Sequence, residues 1–142
     1  MEYQEIISPE IQSIVNDINE KYDRPLDRRI FTFIVSLINL LREFPKTPEI
    51  EVIRYQLIKS ATSIGANFEE AQAACSKADF KNKLFISLKE ARECHYWMRL
   101  LSAITNTMNN SDLDMLTKES EKLKKILGSI TSKVSKRLRE NS

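Results

Sequence analysis

The sequence has little of what breaks a chain into short pieces. Glycine occurs twice and proline four times among 142 residues. A many-stranded β protein needs frequent turn residues, so this scarcity argues against that class and suits a few long helices joined by short loops. Cysteine is also scarce: Cys75 and Cys94 are the two, and His95 is the single histidine. Neither cysteine belongs to a CxxC or Cys/His spacing, which leaves no metal pattern and reads as two free thiols in a reducing compartment. No apolar run approaches the roughly 20 residues that span a bilayer. The stretch from Met1 to Glu10 is too polar for a secretory leader, so a cytoplasmic protein with no membrane partner is expected. What the chain does have is 42% hydrophobic and 30% charged residues, enough for one globular core.

Net charge is +2 and by itself says little about partners, but its distribution is uneven. Residues 118–139 hold eight basic and two acidic side chains, so this segment carries +6 and the rest of the chain −4. The last helix is a basic element on a mildly acidic body.

Apolar spacing predicts five helices. The first covers 9–22 with Ile11, Ile14, Val15, Ile18 and Tyr22, opened by Ser8 and Pro9. Arg24-Pro25 breaks the chain. The next runs from Leu26 to Phe44 on Ile30, Phe33, Ile34, Leu37, Leu40, Leu41 and Phe44, and stops at Pro45. Thr47 and Pro48 open a helix reaching about Cys75, with Ile50, Ile53, Leu57, Ala61, Ile64, Phe68 and Ala71 on one stripe. Its small-residue run from Ser60 to Ala66 invites close approach of a neighbour. Gly65 costs about 1 kcal/mol of helix stability against Ala, so a packing reason is expected there.

Ser76 with Asp79 opens the following helix, whose inner stripe is Phe80, Leu84, Leu88, Ala91, His95 and Met98. That helix has a second apolar side in Phe85, Tyr96, Leu100 and Ala103, flanked by Ile86, Trp97 and Ile104. Apolar surface nearly all round implies burial on more than one side, and hence an oligomer with Tyr96, Trp97, Leu100 and Ile104 partly at subunit contacts. Asn109-Asn110 is a loop signal, and Ser111 with Asp114 opens the last helix. Leu116, Leu123, Leu127, Ile130, Val134 and Leu138 form its core stripe. Lys118, Lys122, Lys125, Lys133 and Lys136 fall on another face, within roughly 80° of each other. A one-signed face of that length attracts phosphate by its field, although the aromatic interleaving of single-strand binders is missing from this helix.

No catalytic, cofactor or metal site is expected. A di-iron bundle needs two Glu-x-x-His motifs, and the residue three before His95 is Arg92. Cys94 and His95 are adjacent on a helix and do not face each other. Glu90 and Glu93 read as ion-pair partners rather than an acid/base couple. Asn67, with Ser63, reads as a buried hydrogen bond that fixes helix register.

Three segments together carry a resemblance. They are Tyr55-Gln56-Leu57-Ile58-Lys59-Ser60-Ala61-Thr62-Ser63-Ile64-Gly65-Ala66-Asn67, Ser76-Lys77-Ala78-Asp79-Phe80, and Leu88-Lys89-Glu90-Ala91-Arg92-Glu93-Cys94-His95-Tyr96-Trp97. The chain resembles, over roughly residues 27–138, the four-helix-bundle family first noticed in intervening sequences of large-subunit ribosomal RNA genes. Related bundles include the accessory variability determinant of diversity-generating retroelements. Phe68-Glu69-Glu70 stands where family members have Ile-Ala-Glu or close to it, which places a bulkier side chain in the packing. The resemblance implies an up-down bundle assembled as a homopentameric ring or barrel. For the retroelement relatives it also implies a basic surface that binds nucleic acid and a reverse transcriptase.

The expectation is therefore an all-α protein with an N-terminal extension over 1–25, containing a short helix, and an up-down four-helix bundle over 26–142. Its expected function is a non-enzymatic oligomeric scaffold that binds RNA or DNA, and a reverse transcriptase, through the lysine face. The alternative is a protein-binding adaptor with no nucleic-acid role.

Overall fold

A computed structural model describes residues 9–21, 25–106 and 109–140. Ser8, Tyr22 and Arg24, which the sequence reading used at the first helix and its break, lie outside them. The described residues form five helices and no strand: α1 Pro9–Lys21, α2 Leu26–Leu41, α3 Pro48–Gln72, α4 Lys77–Ile104 and α5 Ser111–Glu140.

Each boundary has a local cause. Thr47 accepts from the Ile50 N–H at 3.4 Å, with Pro48 in the first turn of α3. Ser76 accepts from the Asp79 N–H at 3.1 Å at the start of α4. The cap of α5 is not Ser111, as the spacing suggested, but Asn110, whose Oδ1 accepts from the Leu113 N–H at 3.0 Å. Asn109 before it takes φ 48°, a left-handed conformation that asparagine tolerates better than most residues. The end of α2 is held from outside the helix. The Arg54 guanidinium donates to the Leu41 carbonyl at 3.1 and 3.2 Å and to the Phe44 carbonyl at 2.7 Å. It thereby fills acceptors that the helix end leaves open.

Consecutive long helices run antiparallel around one core. Gly65 of α3 faces Ile30 and Ile34 of α2, and a Cβ there would meet Ile34 Cδ1 at 2.8 Å. This close approach is the packing reason for a glycine in mid-helix. Between α3 and α4, Ser87 donates to the Ile64 carbonyl at 2.9 Å, and Lys83 pairs with Glu70 at 2.7 Å. The stripes expected to be core on α3 (Ile50 through Ala71) and on α4 (Phe80 through Met98) are buried throughout. Phe68, the bulkier residue, is buried too.

α1 docks on this same bundle through Ile11, Ile14 and Ile18. Asp17 pairs with Arg137 at 2.9 Å and Glu10 with Lys77 at 2.6 Å, which ties α1 to the ends of α5 and α4 that lie together. No helix among the described residues is long and apolar enough to cross a membrane.

Candidate nucleic-acid interface

Helix α5 sorts its residues by sign. Leu113, Leu116, Leu123, Leu127, Ile130 and Val134 are buried, whereas Lys118, Lys122, Lys125, Lys133 and Lys136 are all exposed. Leu138, placed in the core stripe by spacing, is only partly buried. Lys125 pairs with Glu121 at 3.2 Å, and the other acid of this segment, Glu119, turns away to bind Arg29 at 2.6 Å. That pairing leaves Glu121 as the one acid of this segment close to the lysine face, and the Lys125 hydrogen bond holds its carboxyl below the usual range.

Packing of α4 against α5 adds cations that sequence spacing did not assign to the site. Arg92, His95 and Arg99 of α4 and Lys124, Lys125 and Gly128 of α5 line one open groove, with Leu88 at its side. Among the described residues, Arg92, Arg99, Lys118, Lys122, Lys124 and Lys136 form no ion pair. The groove depends on which faces of two separate helices meet, and a stripe drawn on one helix carries no sign of that. Lys125 stands where groove and stripe join.

His95 lies at this groove. Its Nδ1 is 3.2 Å from Ser120 Oγ, and Ser120 spends its own proton on the Thr117 carbonyl at 2.7 Å. Nδ1 therefore carries the hydrogen, and Nε2 is the nitrogen that titrates. Burial lowers the His95 pKa from its ordinary value; the Lys124 charge lowers it further, while Glu121 opposes the shift. The groove thus holds a neutral imidazole among fixed cations, a setting that favours an anion.

Of the residues expected at subunit contacts, Leu100 and Ile104 stand beside α3, Trp97 is partly buried against the core, and Tyr96 is exposed. Tyr96 meets Trp97 edge to face, with ring centroids 5.2 Å apart. Trp97 Nε1 donates to Glu93 at 3.3 Å. Leu100 and Ile104 line a hollow with Pro45, Ile50 and Ile53. Val52, which spacing did not single out, is exposed on α3. Tyr96 stands between this apolar seam and the basic groove.

Two smaller expectations need correction. Asn67 does not bridge helices: its Nδ2 donates to the carbonyl and hydroxyl of Ser63, one turn back on α3, at 2.9 and 3.0 Å. Side-chain hydrogen bonds that do join helices are those of Ser87 to Ile64, His95 with Ser120 and Ser102 with Thr117. Glu90 and Glu93 form no ion pair among the described residues. Glu93 accepts from Trp97 instead, and burial, followed by the Glu93 charge, raises the Glu90 pKa.

The Cys94 thiol is fully buried, and burial pushes its pKa up to about 12, which makes it a poor nucleophile near neutrality. No cluster of three or more metal-ligating side chains exists among the described residues.

Known proteins place this geometry in a family. A crystal structure from the S23 ribosomal protein family of Bacteroides thetaiotaomicron VPI-5482, of unknown function, is 37% identical to the chain. It covers 74% of this chain and 96% of its own, with a TM-score of 0.61. No curated protein matches. The family model for the 23S rRNA-intervening sequence protein matches residues 26–129, from the first residue of α2 to beyond Gly128, and leaves α1 outside. The chain belongs to the 23S rRNA-intervening sequence protein family.

Proposed function

We propose that the protein is a non-enzymatic, oligomeric scaffold that binds nucleic acid by its phosphates. The observation that carries this reading is the joined basic surface of α5 and the α4–α5 groove, where Glu121 is the one acid within residues 118–139 that stands near Lys118, Lys122, Lys124, Lys125, Arg92 and Arg99. Phosphate contacts of this kind fix position and carry no base sequence. A ring, pentameric by family resemblance, repeats the surface several times and adds weak contacts through multivalency. A reverse transcriptase, the partner implied for retroelement relatives, is an enzyme such a scaffold would bring to its template. The apolar seam at Trp97, Leu100 and Ile104 supports a second reading, an adaptor that binds only protein.

The deciding experiment is binding of labelled RNA and DNA across a salt series. Affinity is expected to fall steeply with salt. Replacing Lys122, Lys125 and Lys133 together by Gln is expected to weaken every sequence alike and to flatten the slope by about 2–3 units on duplex DNA. Unchanged binding in the triple variant at low salt would leave the stripe as a solvated face and favour the adaptor.

A further inference from the structure

The outer face of α4 carries the aromatic interleaving that α5 lacks. Along one stripe at spacings of three and four residues stand Lys81, Phe85, Lys89, Arg92, Tyr96 and Arg99. Phe85 is 46% exposed and Tyr96 52%, so both side chains reach solvent. They are about 16 Å apart along the helix axis at 1.5 Å per residue. Lys81 Nζ lies 5.9 Å from the centre of the Phe85 ring, and Trp97 props Tyr96 edge to face. No acid interrupts the stripe. α5 runs antiparallel beside it, with Ser120 against His95 and Gly128 near Leu88. Lys124 and Lys125 therefore lie beside the Tyr96 end, whereas Lys133, farther along α5, lines the hollow between α5 and α1.

Two exposed rings among cations are not explained by phosphate contacts alone. The geometry points to a single-stranded nucleic acid as the ligand, with its backbone on the α5 lysines and in the α4–α5 groove, and unpaired bases stacked on Phe85 and Tyr96. A duplex keeps its base faces stacked on each other, so it has nothing to offer these rings. A single strand satisfies rings and cations together, and base–aromatic stacking is indifferent to sequence. An acidic peptide would meet the cations but would leave the rings bare. The inference rests on the nucleic-acid reading above and specifies the strand state of the partner.

The test uses the full chain as it assembles, with labelled 20-nucleotide oligo(dT) and oligo(U) and a 20-base-pair duplex as probes. Single strands are expected to bind more tightly than the duplex at equal salt. Phe85→Ala and Tyr96→Ala should each weaken single-strand binding by about tenfold or more while leaving duplex binding unchanged, and Tyr96→Phe should keep wild-type affinity. Trp97 is the single tryptophan, so its emission should change when a base stacks on Tyr96. Ultraviolet crosslinks to oligo(dT) should map to Phe85 or Tyr96. Equal affinity for both probes, with the aromatic variants unchanged and the lysine triple variant weakened, overturns the stacking inference and leaves the phosphate reading intact. Binding to neither probe overturns both. Displacement of oligo(dT) by polyglutamate at equal charge concentration overturns it in favour of an acidic protein. Because Tyr96 borders the apolar seam, light scattering accompanies each variant, and Phe85→Ala, away from that seam, decides the matter if Tyr96→Ala disturbs assembly.

Discussion

The two glycines sit mid-helix for different reasons, and substitution separates them. A Cβ at Gly128 would meet only Leu88 Cδ1, at 3.8 Å, which is ordinary contact. Gly128→Ala should therefore stabilise the fold by about 0.5–1 kcal/mol through helix propensity, read as a higher denaturation midpoint. At Gly65 the same Cβ meets Ile34 Cδ1 at 2.8 Å, so Gly65→Ala should gain less, and Gly65→Leu should push α2 away from α3 and destabilise. The cysteines divide as sharply. Cys75 is exposed and Cys94 buried, so a thiol reagent on the native protein should label one site quickly and the second only on unfolding. His95 has a sign to check. Its folded pKa is lowered, so the unfolded chain binds the extra proton first, and the stability that depends on neutral His95 is lost as pH falls below the ordinary value of 6.5. A bound phosphate reverses the balance that Lys124, Arg99 and Lys125 impose and favours the imidazolium. Polyanion binding is then expected to tighten as pH falls through the same range, and His95→Gln should remove that dependence.

At the scale of elements, α1 is an addition to the family bundle that is held by few groups. Three isoleucines enter the core, and two ion pairs tie its surface to Arg137 and Lys77. A helix of 13 residues is marginal alone, so its order depends on that docking. Hydrogen exchange should show α1 less protected than α3 and α4. Ile14→Asp should release α1 while the protection of α3 and α4 persists; protection of α1 unchanged in that variant would mean the docking is not what orders it. The helices themselves were legible because each inner stripe repeats at helical period for several turns, and because Thr47 and Ser76 cap where a hydroxyl precedes an apolar run. The cap of α5 was misassigned because Asn110 and Ser111 are adjacent and both are good caps; only the hydrogen bond to Leu113 separates them. The exposed lysine face followed from periodicity, but the groove did not. Arg92 and Arg99 join Lys124 only through the rotation of α4 against α5, a property of the pair and not of either helix.

The whole molecule leaves an apolar seam uncovered on the single chain. Ile104 is 46% exposed, and it lines a hollow with Leu100, Ile50 and Ile53. This end of α4 also meets α5 through Ser102 and Thr117 and enters the core with Met98 and Leu101, so apolar side chains stand on more than one of its sides and α4 reads as apolar nearly all round. If a second copy covers the seam, light scattering at micromolar concentration should give a mass above the 16.5 kDa chain, and five times it for the pentamer. Leu100→Asp with Ile104→Asp should then lower the mass to that of one chain while circular dichroism stays helical, because both side chains are only partly buried in the monomer. A wild-type protein that stays monomeric would sink the assembly and the multivalent half of the scaffold reading. The same double variant links assembly to binding. Its groove and lysine face are untouched, so each chain keeps its phosphate contacts, but the gain from engaging several chains at once, of order 10²–10⁴ in avidity, should disappear. Loss of affinity on long nucleic acid, with little change on an oligonucleotide that reaches one chain, is the expected pattern. Equal loss on both would mean that the seam shapes the groove itself.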